Sequence, residues 1–194
     1  MWIVSVGSGT VRQLSTVSGG IGTTADWSPN GRQLLLASNN GLFTVSTVNG
    51  SIITLRGPPA PPTSDAPSWC YGRLSNPIWS PDGRWIEFEE WGCDEQGHYS
   101  RIEIIDPEGH YRYTISNDQY PWAIHGVGQS LAVWSPDSLS LAFIEDRSLS
   151  GESFLATSRL LATATRSDFK FDYRELVADV WSAPAWQRLP RPRN

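Results

Sequence analysis

The stretch Pro77-Ile78-Trp79-Ser80-Pro81-Asp82-Gly83-Arg84 runs into a segment where Ile86 and Phe88 alternate with polar residues. It decides the fold because it recurs. Ala25-Asp26-Trp27-Ser28-Pro29-Asn30-Gly31-Arg32 repeats it, as does Ala132-Val133-Trp134-Ser135-Pro136-Asp137-Ser138-Leu139. Asp179-Val180-Trp181-Ser182-Ala183-Pro184 is a worn fourth copy. The tryptophans return roughly every 50 residues, which is the period of one supersecondary unit repeated along the chain.

The residue types in the repeat dictate a hairpin. Pro29, Pro81 and Pro136 preset φ for the second turn position. Asp82 and Asp137 accept local backbone hydrogen bonds, and Gly31 and Gly83 supply positive φ. Leu34 and Leu36, Ile86 and Phe88, and Leu141 and Phe143 then alternate with the period of a half-buried strand. Trp27, Trp79 and Trp134, just before each turn, are placed to pack between neighbouring repeats. A second hairpin follows in two repeats, through Asn49-Gly50 and through Asp106-Pro107-Glu108-Gly109. Two hairpins make a four-stranded antiparallel blade, so the expected fold is an all-β propeller.

Residues 1–16 read as the outer hairpin of a blade, 24–56 and 76–117 as full blades, and 130–178 as a degenerate blade. Residues 179–194 read as the start of the next blade and a tail. Segment 154–165 alternates poorly, and its Ala, Leu and Arg content permits a helical excursion. The count is about three to four blades, a partial ring, and blades need neighbours to bury their faces. Three resolutions stay open: a fragment of a longer propeller, self-association that closes a ring, or a small four-bladed ring closed by its own ends.

The phrase Trp79-Ser80-Pro81-Asp82-Gly83-Arg84 and its alternating strand resemble the TolB-like, WD-like propeller repeat. The same repeat builds the propeller of prolyl-oligopeptidase-type serine peptidases. The resemblance covers residues 1–145 well, with Asn30 in place of Asp and Ser138 in place of Gly. It implies a non-enzymatic scaffold for a protein, peptide or ligand partner, in a periplasmic or extracellular setting. The alternative it implies is the substrate-gating propeller of a peptidase whose hydrolase domain lies outside this chain. Such propellers close with about six to eight blades. Fold alone does not choose between these functions.

Composition narrows the field. The net charge of -5 lacks the basic patch a nucleic-acid surface needs, and Arg188, Arg191 and Arg193 read as a solvated tail. No run reaches the roughly 20 apolar residues of a membrane helix. Met1-Trp2-Ile3-Val4-Ser5-Val6 lacks the basic region of a leader and reads as a strand. A nucleophile elbow is missing, since Gly7-Ser8-Gly9 and Gly151-Glu152-Ser153 do not fit G-x-S-x-G. Ser18-Gly19-Gly20-Ile21-Gly22 lacks the lysine of a phosphate loop, so no cofactor is expected. His98, His110 and His125 are scattered, and no metal-ligand spacing occurs.

Two groups of residues remain as candidates. Trp69, Tyr71, Trp91, Tyr120 and Trp122, with acidic residues nearby, offer plates for a ligand by stacking and cation–π contact. The alternative is that these rings pack blade faces, with part of the acidic run 87–90 facing water. Extending the hairpin set by the Ser80–Gly83 turn brings Cys70 near Cys93, whereas strands of about 5–6 residues leave both in loops. A disulfide and two reduced thiols are both open, and a disulfide implies an oxidising compartment.

Overall fold

The structure, a computed structural model, describes residues 1–14, 24–59, 72–94, 97–110, 112–115, 127–147, 152–161, 170–178 and 184–185. Every regular element among them is a β-strand. Strands β1 (Trp2–Val4) and β2 (Val11–Gln13) form a hairpin. The first blade is β3 (Thr24–Trp27), β4 (Gln33–Ser38), β5 (Gly41–Ser46) and β6 (Ile52–Arg56), paired in sequence order. The second is β7 (Arg73–Trp79), β8 (Ile86–Asp94), β9 (Gly97–Ile105) and β10 (Arg112–Thr114). The third is β11 (Val127–Trp134), β12 (Ser140–Arg147), β13 (Glu152–Leu161) and β14 (Lys170–Ala178). A parallel bridge, Gly128↔Ser100, joins the second and third blades into one sheet, and the described strands close no ring.

The helical excursion that the composition of 154–165 permits is not taken over 154–161, its described part. Residues 152–161 and 170–178 are the long strands β13 and β14, paired antiparallel from Phe154↔Ala178 to Leu161↔Lys170. The cause is tertiary: β12 offers β13 a full ladder, from Ser140↔Arg159 to Arg147↔Glu152. Such a ladder overrides the favourable helix propensity of Ala, Leu and Arg, as tertiary context commonly does.

The three turns carry one hydrogen-bond pattern. The serine hydroxyl donates to the Asn or Asp side chain two residues on: Ser28 to Asn30 at 2.9 Å and Ser80 to Asp82 at 2.7 Å, with Ser135 doing the same to Asp137. That side chain also accepts the amide of Arg32, Arg84 or Leu139. Burial pushes the Asp82 carboxyl up, but the Arg84 amide, the Ser80 hydroxyl and the Arg84 guanidinium outweigh it and hold it below 3.8. Its stabilising contribution is therefore lost as pH falls through that depressed value.

The departure at Ser138 has a structural answer. Gly31 and Gly83 sit at φ 67 and 72, and Ser138 adopts the same left-handed conformation at φ 63. Its hydroxyl accepts the amide of Asp82 at 3.0 Å, tying the third blade's turn to the second's. We expect Ser138→Ala to lose about 1 kcal/mol, because the strain stays and the bond goes. Ser138→Gly should lie near neutral, since relief of strain offsets the lost bond. Urea midpoints of the two variants check this, and equal losses would contradict it.

The core lies between blades. Trp79 packs with Leu35, Ala37, Leu42, Leu55, Leu74, Ile86, Phe88 and Ile105, joining the first blade to the second. Trp134 packs with Trp85, Ile102, Ile104, Ile115, Leu141 and Phe143, joining the second to the third. Leu14, with Met1 and Ile3, covers Leu34, Leu36 and Val45 on the other face of the first blade. Each fully buried side chain of this size contributes about 1.5–3 kcal/mol. Side chains also cross the first of these junctions: Asp26 accepts the amide of Trp79 at 2.8 Å, and Thr24 accepts that of Asn76 at 3.0 Å.

Trp27 breaks the pattern. Trp79 and Trp134 are each 8% exposed, whereas Trp27, at the same repeat position, is 48% exposed. Among the described residues no blade covers it.

Candidate functional site

Of the aromatic residues singled out from the sequence, Trp91 is described, and it lies on β8 with Glu87, Glu89 and Glu90. Trp69, Tyr71, Tyr120 and Trp122 lie outside the described residues. Trp91, half-buried, has the Arg73 guanidinium 5.1 Å from its ring centroid and donates its indole N–H to Glu89 at 3.2 Å. Tyr99 is covered by Arg101 at 4.7 Å and lies across Gly92, its partner in the ladder. A Cβ on Gly92 would come 2.4 Å from the Tyr99 hydroxyl, so the glycine is what lets that ring fold over the strand. Both rings are thus already engaged by arginines of their own blade.

The expectation that part of the acidic run faces water is overturned. Glu87, Glu89 and Glu90 are all buried, at 1%, 1% and 2% exposure. The reason is that β8 is an inner strand with a blade against each of its faces, so alternation moves a side chain between two junctions and never to solvent. Glu90 faces the first blade, where Arg56 and Arg101 each approach it at 3.3 Å. Glu103, also buried, pairs with Arg101 at 2.9 Å and accepts the Thr114 hydroxyl at 2.9 Å. Both carboxylates at this junction are neutralised by arginine.

The junction with the third blade is built differently. Glu89 accepts from the Asn76 side chain at 2.9 Å, the Ser75 hydroxyl at 3.3 Å and the Trp91 indole. Across the junction it accepts the backbone amide of Leu131 at 2.7 Å. Asn76 and Leu131 occupy equivalent repeat positions, with φ of 48 and 57, and each lies in a register shift of its blade's first strand. A bulge at each place turns an amide out of the ladder, and Glu89 captures the one from the third blade. Glu87, on the same face, has no hydrogen-bond partner for either carboxylate oxygen among the described residues. Burial first, and the Glu89 charge second, push its pKa well above 4.5. Sequence reasoning passed over these residues because Glu in an alternating strand reads as the wet side; the long apolar runs of both neighbouring blades were the available signal.

Cys93 lies within β8, not in a loop, opposite His98 of β9, and is disulfide-bonded. Cys70, the other cysteine of the chain, lies outside the described residues. The β7–β8 ladder ends at Arg73↔Trp91, from which the chain leads to Cys70 on one side and Cys93 on the other. His110 is exposed on the turn after β9, its amide bonded to Asp106, and His125 lies outside the described residues. Among the described residues no group of three or more His, Cys, Asp and Glu is arranged to hold a metal ion. No helix among them is long and apolar enough to cross a membrane.

The sequence matches no protein-family model and no curated relative. The blades superpose on a structure described as TolB from Agrobacterium tumefaciens, at a TM-score of 0.54 and 14% identity. That match covers 91% of this chain and 57% of the other. The fold is a TolB-like β-propeller. A protein from Lactobacillus plantarum is similar at a TM-score of 0.49 and 17% identity, over 92% of this chain and 48% of its own. A dipeptidyl aminopeptidase IV from Bacteroides ovatus is similar at 0.48 and 14%, over 81% and 25%. The chain spans about half the length of the first two. At these identities the likeness establishes the propeller fold and leaves activity open.

Proposed function

We propose that this TolB-like propeller is a non-enzymatic scaffold that binds a protein partner, and that a second copy of the chain is one such partner. The observation that carries this reading is the apolar surface at the first blade. Among the described residues Trp27 is 48% exposed, and Trp2, Val4 and Val11 of the N-terminal hairpin are 63%, 58% and 58% exposed. Ile3 packs onto the first blade, so its neighbours Trp2 and Val4, and Val11 opposite Val4, point the other way. Large apolar side chains left exposed in number are what an interaction surface offers a partner. The buried carboxylates and arginine-stacked rings described above serve blade junctions, which supports a scaffold over a catalytic role. In this reading Cys70 and Cys93 form a bridge beside β8, in an oxidising compartment.

The test is the solution mass of the chain and of a Trp2→Ser/Trp27→Ser variant by light scattering. We expect wild type near twice 21.5 kDa and the variant at the mass of one chain. A wild-type monomer, or a dimer indifferent to the substitutions, overturns self-association through this face. Turnover of a peptide, ester or uronide substrate by the purified chain would overturn the non-enzymatic assignment.

A further inference from the structure

Two junctions between blades carry buried acids, and they are neutralised in different ways. At the first, Arg56 and Arg101 face Glu90, and Arg101 faces Glu103. At the second, Glu89 is held by neutral donors, and among the described residues Glu87 is held by none. Glu87 is opposite Ile78 on β7 and Ile104 on β9, so it shares the face of Trp85, Ile102 and Trp134 that meets the third blade. It is 1% exposed. A carboxyl placed there without partners is strongly disfavoured in its ionised form.

The charged and titratable groups facing Glu87 offer no compensation. Its own strand presents Glu89, a like charge. On β7 the nearest is Arg73, which is spent on the Trp91 ring. On β9 the register places Ile104 and Ile102 on its face, followed by Ser100 and, at the far end of the strand opposite Cys93, His98, while Arg101 and Glu103 lie on the opposite side. From β10 comes Tyr113, set edge-on to Trp85 at 6.3 Å. Strand β11 has no titratable residue, and β12 brings Glu145, another buried acid.

We propose that the junction between the second and third blades is a proton-gated latch. It closes with Glu87 neutral and loosens when Glu87 gives its proton to water, leaving two like charges against the contact that Glu89 makes with Leu131. The depressed stability of the ionised form follows from geometry, and the upward pKa of Glu87 agrees with it. The sign follows from that direction. Stability of the junction is fully present below the ordinary glutamate range and declines as pH rises toward the folded-state value. Over that window the opening constant rises by up to about tenfold per pH unit, the limit for release of one proton. The first junction, where arginines face both carboxylates, serves as the internal comparison.

Hydrogen–deuterium exchange of the segments containing Leu131 and Trp79, corrected for intrinsic rates, tests this between about pH 5 and 9. We expect the opening of β11 to rise with pH in wild type and to be flat in Glu87→Gln, with β7 flat against the first blade in both. A flat wild-type profile, or a slope that survives in Glu87→Gln, overturns the latch. Should that variant not fold, Glu87→Met serves in its place. The infrared band of a protonated carboxylic acid is a further readout on wild type: it should persist above the pH at which exposed glutamates ionise. Its disappearance with the exposed acids would equally sink the proposal.

Discussion

Glu89→Ala is expected to lose about 3–5 kcal/mol of folding stability at neutral pH, the range for breaking a buried charged network. The substitution leaves the Leu131 amide, the Asn76 side chain and the Trp91 indole without their acceptor. Each hydrogen bond to a charged group is worth about 1.5–3 kcal/mol, and an orphaned buried donor loses its hydration as well. Glu89→Gln should lose less, since one carbonyl oxygen remains, although its amide group then faces donors. Urea unfolding followed by tryptophan fluorescence measures both. The loss should fall on the third blade first, because Glu89 is one of its polar ties to the second, with the bond from the Asp82 amide to Ser138. A loss under about 1 kcal/mol for the alanine variant would mean that the packing of Trp134 alone holds the junction.

Gly41→Ala should be nearly as damaging, at about 3 kcal/mol. Gly41 has φ of 129, and a Cβ there would stand 2.3 Å from the Arg56 carbonyl oxygen on β6. The obstacle is backbone, so no side-chain rotation relieves it; β6 must leave its register with β5 at Leu42↔Arg56. Displacing Arg56 also draws its guanidinium from Glu90. Gly31→Ala is the control. It shares the positive φ, at 67, but nothing lies within 4 Å of its added methyl, so only the strain of about 1–2 kcal/mol applies. Thermal or urea unfolding of the pair separates crowding from conformation, and equal losses would show that conformation alone matters.

Much of this architecture was readable from residue types. The turns at Ser28–Gly31, Ser80–Gly83 and Ser135–Ser138 are local, made by side chains bonding to backbone a few residues away. Their chemistry is therefore written in the sequence, down to the serine and the asparagine or aspartate that close each turn. The alternation after each turn is equally local, and it placed Leu34, Ile86, Phe88 and Leu141 in the core. Asn49-Gly50 and Asp106–Gly109 announced the second hairpins for the same reason.

What failed were inferences that needed the neighbour of a strand. Glu87 and Glu89 alternate with Ile86 and Phe88 as a solvent face would, yet a third blade covers that face. Residues 152–161 and 170–178 lack a strand pattern, and they are strands because β12 presents a ladder to β13 and β13 presents one to β14. Ser138 looks like a defect in the motif until its hydroxyl is seen to hold the next turn over. Trp27 and Trp79 read identically along the chain, but only one of them has a blade in front of it. The repeated turn, the strand period and the order of the blades were determined by the sequence itself, because they depend on contacts within a few residues. Which carboxylates are buried, which tryptophan is open and which junction holds an unpaired acid were decided only by tertiary structure, because burial belongs to the pair of surfaces that meet.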